Sequence, residues 1–213
     1  IAKQRCHGYE LVADLDFDTN GDGQMNEQDA YWNDGEGWEP IDTPRFSTFS
    51  FNLDGNGHQI RNLNIVSDSH NIGLFGYVRK AELSNLVLTG PLTKITGRSG
   101  IGILAGSITD SSVYNVYTSG AILATETQTS NAGGLAGFVR GTSLHNIQSA
   151  AVLEGVERVG GIVGYATSGS RITQAIASGA IIAPLSNVTG GIAGRLWEPN
   201  VSNSFWATDT TSH

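Results

Sequence analysis

The chain has 213 residues, enough for one ordinary domain or one elongated repeat body. Its 20 acidic and 12 basic side chains give a formal net charge of −8, which argues against nucleic acid and anionic membranes as partners. Charged residues make up only 15% of the chain and 28 residues are glycine, a composition that favours strands and turns over solvated helices.

The first residues, "IAKQRCHGYE", lack the apolar core of a signal peptide, and no apolar run approaches the ~18 residues of a membrane span. We therefore expect a mature fragment or an excised domain. Cys6 is the only cysteine, so a disulfide cannot form within the chain. A partner for Cys6, if it has one, must lie in another segment.

The stretch "DTNGDGQMNEQD", residues 18–29, has the ligand spacing of a calcium loop, D-x-N-x-D-G-x-x-N-x-x-D. Calcium takes six to eight oxygen ligands, which such a loop supplies from alternate residues, with a glycine at position 6 for the sharp turn and a backbone carbonyl at position 7. A shifted register from Asp16 to Glu27 also exists, but only the first places an asparagine at position 9. The predicted Ca²⁺ ligands are Asp18, Asn20, Asp22, Gln24, Asn26 and Asp29.

The flanks of this loop differ from those of a calcium sensor, which needs a helix on each side. Upstream, "YELVADLDF" alternates like a strand, and downstream "NEQDAYW" is long enough for one helical turn. We expect a single structural site in which Ca²⁺ offsets the repulsion between neighbouring aspartates. The competing interpretation is an acidic, glycine-rich surface turn.

Three aromatic residues, Tyr31, Trp32 and Trp38, follow in "AYWNDGEGWEPI". The favoured interpretation is a cap over the first end of the repeat body that comes next, since an end coil otherwise exposes its apolar core and its strand edges. The alternative is a ligand-binding platform on which sugar rings stack.

From residue 71 onward a glycine motif recurs five times, as in "GGLAGFV" and "GGIVGYA". The second glycines are Gly76, Gly106, Gly137, Gly164 and Gly194, at spacings of 30, 31, 27 and 30. Short apolar pieces with this period, and without a 3.6-residue period, predict an all-β parallel β-helix (β-solenoid). We expect about six coils of about three short strands each, wound right-handed.

Two columns of residues track the repeat. Leu74, Ile103, Leu135, Ile162 and Ile192 form the predicted inward apolar column. The second column carries amides, which at one corner of stacked coils can hydrogen-bond along the axis as amide ladders do in cross-β stacks. A row of ligand-binding amides is the alternative. The predicted ladder residues are Asn62, Asn85, Asn115, Asn146, Gln174 and Asn203.

"GGLAGFV…SLHNIQSAAV" and "GGIVGYA…RITQAIASGAI" resemble the GLUG motif, a glycine-rich repeat of bacterial surface and secreted proteins. "FNLDGNGHQIRNLNI" (51–65) is similar to the leader unit of such arrays, and the segment around "DTNGDG" to the cap before it. The resemblance implies a large exported protein, often an adhesin, or a non-catalytic module of a secreted peptidase. Several motifs have Ile or Ala where the usual motif has Leu and Val.

The serious competitor is a β-helix enzyme that cuts acidic polysaccharides, which needs clustered carboxylates, or calcium plus a basic residue, on one strand face. The repeats carry scattered charges, and no carboxylate pair recurs in one column of neighbouring coils. We expect no catalysis. The sequence predicts a cap over 1–50, a solenoid over 51–213, and a calcium-stabilised spacer or adhesion module at the bacterial cell surface. Expected partners are other domains of a larger exported chain and a surface glycan or protein receptor. The functional alternative is a carbohydrate-binding module.

Overall fold

The structure, a computed structural model, describes residues 8–42, 48–126, 130–155, 157–183, 188–208 and 211–212. Cys6, His7 and His213 lie outside the described residues. Within this part of the chain the secondary structure is all β, apart from short 3₁₀ turns at Asn33–Gly35 and at Thr208.

The strands are short, and most have two to five residues. In chain order they are β1 (Gly8–Glu10), β2 (Leu15–Asp16), β3 (Asn52–Asp54), β4 (Gln59–Arg61), β5 (Asn64–Val66), β6 (His70–Ile72), β7 (Phe75–Arg79), β8 (Glu82–Thr89), β9 (Lys94–Gly97), β10 (Ser99–Ile101), β11 (Ala105–Thr109), β12 (Ser112–Thr118), β13 (Ala121–Ala124), β14 (Ala132–Gly133), β15 (Ala136–Arg140), β16 (Ser143–Ser149), β17 (Val152–Glu154), β18 (Val159–Gly160), β19 (Val163–Ala166), β20 (Arg171–Ala177), β21 (Ile181–Ile182), β22 (Thr189–Gly190), β23 (Ala193–Leu196), β24 (Asn200–Ser202), β25 (Phe205–Trp206) and β26 (Thr211–Ser212).

These strands stack into four parallel sheets that run the length of the molecule. Sheet I is β6-β10-β14-β18-β22 and sheet II is β7-β11-β15-β19-β23. Sheet III is β1-β3-β8-β12-β16-β20-β24 with β2, β4 and β25 attached, and sheet IV is β5-β9-β13-β17-β21-β26. Five coils therefore pass through all four sheets, behind a leading partial coil formed by β3, β4 and β5. The predicted parallel β-solenoid is confirmed.

Each coil has four strands rather than the expected three, because the glycine motif is two strands joined by a tight arc. The residues after β10, for example, turn at Ile103 and Leu104 into β11. A Cβ on Gly106, Gly137 or Gly164 would lie 2.1, 2.3 or 2.5 Å from backbone atoms of sheet I. The second glycine of the motif is thus required in these three middle coils because sheets I and II touch backbone to backbone there.

The apolar core runs as one continuous column inside the coils. All five residues of the predicted inward column, from Leu74 to Ile192, are buried. In the middle coils Val116, Ile147 and Ala175 stack in register on sheet III and are 0–2% exposed. Because a single coil cannot enclose such a column, each coil depends on its neighbours for burial.

The amino-terminal segment covers the first edges of three sheets. Strands β1 and β2 pair with β3 and β4 on sheet III. Ile41 and Phe49 form parallel bridges to Phe75 and Val78 on sheet II, and Gly37 bridges to sheet IV. This arrangement pairs the first strands of these three sheets, whose edges would otherwise be open to pairing with other chains. None of the helical segments among the described residues is long and apolar enough to cross a membrane.

Candidate functional site

The predicted calcium loop is held in its curl by its own side chains. Asp18 Oδ1 accepts a hydrogen bond from the backbone N–H of Gly21 at 2.9 Å, and Asp18 Oδ2 accepts one from Gly23 at 3.0 Å. Both glycines have positive φ, 73° and 79°, so the loop bends where glycine is tolerated best. The N–H of Gln24 donates to Asp22 Oδ1 at 2.8 Å.

Three of the predicted ligand side chains come together at the centre of the loop. Asn20 Nδ2 and Asn26 Nδ2 lie 3.2 and 2.8 Å from the same oxygen, Asp22 Oδ2. Asn20 Nδ2 also lies 3.5 Å from Asn26 Oδ1. The amide oxygens accept backbone N–H groups instead, Asn20 Oδ1 from Asp22 N and Asn26 Oδ1 from Gln28 N, each at 2.9 Å. Carboxylate and amide oxygens are ligand types that suit calcium.

The last predicted ligand, Asp29, is buried and faces the backbone. Its Oδ1 accepts from Thr19 N at 2.7 Å and its Oδ2 from Asn26 N at 2.9 Å. These hydrogen bonds, the one from Asn26 first, lower the pKa of the Asp29 carboxyl below its usual value. Because the folded-state pKa is lowered, the stability that Asp29 contributes is present above the unfolded pKa of about 4 and is lost as pH falls through the folded value.

Among the residues that the structure describes, no three acidic, histidine or cysteine side chains are grouped so that they could hold a metal ion. The clustered donors of the loop are one carboxylate and two amides, while the carboxylates of Asp18 and Asp29 bind backbone N–H groups. The calcium site therefore stays a prediction, supported by spacing and by donor type.

The predicted aromatic residues separate into two environments. Phe17, Tyr31 and Trp38 form a closed triad of edge-to-face contacts with ring centroids 5.3, 5.3 and 5.4 Å apart. Phe17 is buried, and the indole Nε1 of Trp38 lies 3.4 Å from the carbonyl oxygen of Leu74 in the first coil. Trp32 instead lies beside Gly35 in the 3₁₀ turn. Rings that contact one another and the core in this way favour the cap interpretation.

A cavity of about 720 Å³ opens between this triad and the first coil. The cavity is mostly apolar. Another part of its wall contains Tyr9 and Phe51, whose ring centroids are 5.5 Å apart. Tyr31 and Trp38 line the cavity and Trp32 does not. Its acidic lining residues are Asp14, Asp16 and Asp42.

The amide ladder exists along one corner of sheet III. Asn115 Nδ2 donates to Asn85 Oδ1 at 3.0 Å, and Asn146 Nδ2 donates to Asn115 Oδ1 at 2.8 Å. Each of these residues has a φ of 52–55°, in the left-handed region where asparagine is the best-tolerated side chain after glycine. The left-handed residue bends the strand, so the burial pattern of β12 resumes its alternation after Asn115.

The ladder begins at a residue that the sequence pattern did not indicate. Asp54 Oδ1 accepts from Asn85 Nδ2 at 3.0 Å, and this bond lowers the pKa of the Asp54 carboxyl, with the Asn56 N–H as a second cause. The signal that could have found it is the leader unit "NLDGNG", whose aspartate occupies the strand position before Gly55.

Asn62 does not belong to this ladder. Strand β4 pairs with the end of β8, so Asn62, the residue after Arg61, lies opposite Gly90. The residue opposite Asn85 is Gly55. The Asn62 side chain instead donates to Asp16 Oδ1 at 2.8 Å and accepts from Leu92 N at 3.2 Å. It thereby ties the amino-terminal cap to the next corner of the solenoid.

Gln174 and Asn203 continue the corner in backbone conformation, with φ of 55° and 50°. Gln174 lies in register with Asn146, because the residues on either side of them pair. Within the described residues, the side-chain hydrogen bonds of the ladder end at Asn146. Its hydrogen-bonded part is therefore Asp54, Asn85, Asn115 and Asn146.

No family model matches the chain, and no solved structure matches it. Over 152 residues the chain is 35% identical to part of Halomucin from Haloquadratum walsbyi, a match that covers 70% of the chain. The matched part is 2% of the length of this curated relative. The β-solenoid fold and this similarity are compatible with a structural module of a surface or secreted protein.

Proposed function

We propose that the chain is a non-catalytic, calcium-stabilised module of a secreted or cell-surface protein, serving as a rigid spacer that also presents binding surfaces. The observation that carries the proposal is the uninterrupted stack of sheet III, in which seven strands from β1 to β24 pair in parallel register. Such a stack has no hinge along its length, because hydrogen bonds in four sheets join each coil to the next. The resemblance to GLUG arrays and the similarity to part of Halomucin support an exported, adhesin-like context.

The distribution of carboxylates supports a structural role over a catalytic one. Glu82 lies in register with Ser112, and Glu154 with Leu123 and Ile182, so these acids have no acidic neighbour in the adjoining coil. A glycosidase needs a facing pair of carboxyl groups. Release of reducing ends or unsaturated products from a uronate polymer by the purified chain would contradict this part of the proposal.

Calcium enters the proposal as a clip on the cap. Asp18, Asn20, Asp22 and Asn26 would hold the ion with the Gln24 carbonyl, and Asp29 would close the loop. The loop leads directly into the aromatic triad through Tyr31, so ordering it would fix the cap against the first coil. Calcium would also relieve the crowding of aspartates in the loop.

Removal of calcium is expected to lower the melting temperature. At a hundredfold excess of Ca²⁺ over its Kd, binding stabilises the folded state by about 2.7 kcal/mol. For a chain of this size that corresponds to a melting temperature lower by roughly 5–10 °C in chelator. Differential scanning calorimetry with calcium and with chelator measures the shift.

The matched variants are Asp22→Ala, which removes the carboxylate at the centre of the loop, and Asp68→Ala, which removes an exposed carboxylate outside it. Asp22→Ala should abolish the response to chelator and Asp68→Ala should retain it. An unchanged melting temperature of the wild type in chelator would remove calcium from the proposal and leave the spacer role standing.

A further inference from the structure

The outward positions of sheet II carry aromatic rings and arginines in two adjacent columns. The register of the sheet places Tyr77, Ser107, Phe138, Tyr165 and Arg195 in the first column. The second column is two residues further along each strand and contains Arg79, Thr109, Arg140 and Thr167, followed by Trp197 in the last coil. We call these ten residues the arginine–aromatic face.

This face is basic although the protein as a whole is acidic. Its ten positions include three arginines and no carboxylate, whereas the chain has 20 acidic and 12 basic residues. Arg79 lies 3.7 Å from Asp110 at the adjoining corner. Arg140 and Arg195 form no ion pair with any described residue. The face therefore has positive charge that the described chain does not neutralise.

Two guanidinium groups lie near the ring of Tyr165, the fourth residue of the first column. Arg158 Cζ lies 5.6 Å and Arg195 Cζ 5.5 Å from the centroid of the ring. The Phe138 ring packs against Tyr165 edge-on at 5.7 Å. Cation–π attraction holds both arginines near the ring.

Arg158 is held in this position by Asn131, the residue before β14, and by its neighbour Glu157. Its Nη1 lies 3.5 Å from Asn131 Oδ1 and its Nη2 lies 3.3 Å from Glu157 Oε1. Its side chain is 17% exposed, and its Nε is buried without a hydrogen-bond partner in the described structure. Arg195 is exposed and carries the charge that is open to a ligand.

We propose that the arginine–aromatic face binds a carboxylated polysaccharide, with a uronate carboxylate at Arg195, which Tyr165 holds in place, and a sugar ring against Phe138. A planar guanidinium forms paired hydrogen bonds with a carboxylate, and an aromatic face packs against the apolar C–H face of a sugar ring. Because the columns repeat with every coil, the face extends along the solenoid axis and suits a linear chain of sugars rather than a single small anion. The inference goes beyond the spacer role and is independent of the calcium loop.

Charge decides between a uronate polymer and a nucleic acid as the occupant. Nucleic acids bind surfaces that neutralise one phosphate after another, and the net charge of −8 opposes a polyanion of that charge density. A uronate polymer has a lower charge density and offers sugar faces between its carboxylates. The short run of arginines interleaved with rings on sheet II fits the latter.

The experiment is isothermal titration calorimetry of the intact chain with hyaluronan, whose alternate sugars carry a carboxylate. Dextran, dextran sulfate and single-stranded DNA are the comparison ligands. Binding of hyaluronan should weaken as NaCl rises from 50 to 200 mM, since exposed charges are screened. Arg195→Gln should weaken binding about tenfold, the loss expected for one charge-assisted contact. Tyr165→Ala should also weaken binding, because it removes the ring that holds Arg195 in place.

Arg98→Gln is the matched control, because Arg98 does not belong to the face. Its guanidinium lies 3.2 Å from the carboxylate of Glu126. This variant should bind hyaluronan as the wild type does. Arg195 is exposed, so Arg195→Gln tests the proposal even if Tyr165→Ala disturbs the fold. The proposal would be overturned if hyaluronan bound no better than dextran, or if Arg195→Gln kept the wild-type affinity. It would also be overturned if dextran sulfate or DNA bound more tightly than hyaluronan.

Discussion

Replacement of Gly137 by alanine is expected to lower the free energy of unfolding by about 3 kcal/mol, the upper part of the usual range for an overpacked core. The new Cβ would lie 2.3 Å from the backbone carbon of Gly100 and 2.3 Å from the backbone nitrogen of Ile101. Backbone atoms that are bonded into sheet I cannot move aside as a side chain can. Urea denaturation followed by circular dichroism measures the loss.

Gly155→Ala is the matched control for this substitution. Gly155 also has a φ outside the left-handed region, and the nearest atom to its new Cβ is a methyl group of Val159 at 2.9 Å. A side-chain methyl can shift, so we expect a loss of about 1 kcal/mol or less. Equal losses in the two variants would contradict the explanation of the glycine motif by close contact of sheets I and II.

Ile147→Ala is expected to cost about 2–5 kcal/mol, the range measured when a buried aliphatic side chain is truncated and leaves a cavity. Ile147 is fully buried in the third of the five coils and stacks between Val116 and Ala175. The neighbouring coils are held in place by three other sheets, which limits their collapse into the cavity. The measurement is the same denaturation experiment.

Gln148→Ala tests whether burial rather than strand position sets this cost. Gln148 is the next residue of β16 and its side chain is exposed on the outer face. Its replacement should change the stability by about 0.5 kcal/mol or less, as for an ordinary surface site. A loss of several kcal/mol in Gln148→Ala, or a negligible one in Ile147→Ala, would contradict the placement of the core.

The 30-residue period made the solenoid and its inward column predictable from the sequence, because a coil must repeat its apolar positions to stack. The number of strands in each coil was harder to predict from the sequence. Sequence alternation shows no boundary within "GGLAGFV", and the arc between sheets I and II becomes visible only when Gly137 is seen against Gly100.

The amide ladder shows how far a local pattern can be extended. Asn85, Asn115 and Asn146 were predictable because their repeats have nearly equal length. Asn62 was not, because "IRNLNI" copies the local pattern while the pairing of β4 with β8 sets it opposite Gly90. Register between coils is a property of the whole stack, which a six-residue pattern does not contain.

The arginine–aromatic face was beyond sequence reasoning for a related reason. Tyr77, Phe138, Tyr165 and Arg195 occupy equivalent outward positions, but they differ in type from coil to coil. A column can be recognised in a sequence only when the same residue type recurs in it. A functional column of mixed residue types therefore cannot be distinguished from ordinary surface residues. The calcium loop is the opposite case, since its residues are near neighbours in the chain and their spacing carries the prediction.

The central claim, that the chain is a rigid spacer built as one continuous stack, is tested most directly by the distance between its two ends. Glu10 and Ser202 occupy one register column of sheet III, six strand steps apart. At about 4.8 Å per step their Cα atoms should be about 29 Å apart. Spin labels on Glu10→Cys and Ser202→Cys, with Cys6→Ser removing the native thiol, allow dipolar electron paramagnetic resonance to measure the separation. One narrow distance distribution near this value, with label linkers included, is the predicted result, and a broad or multiple distribution would contradict the rigid spacer.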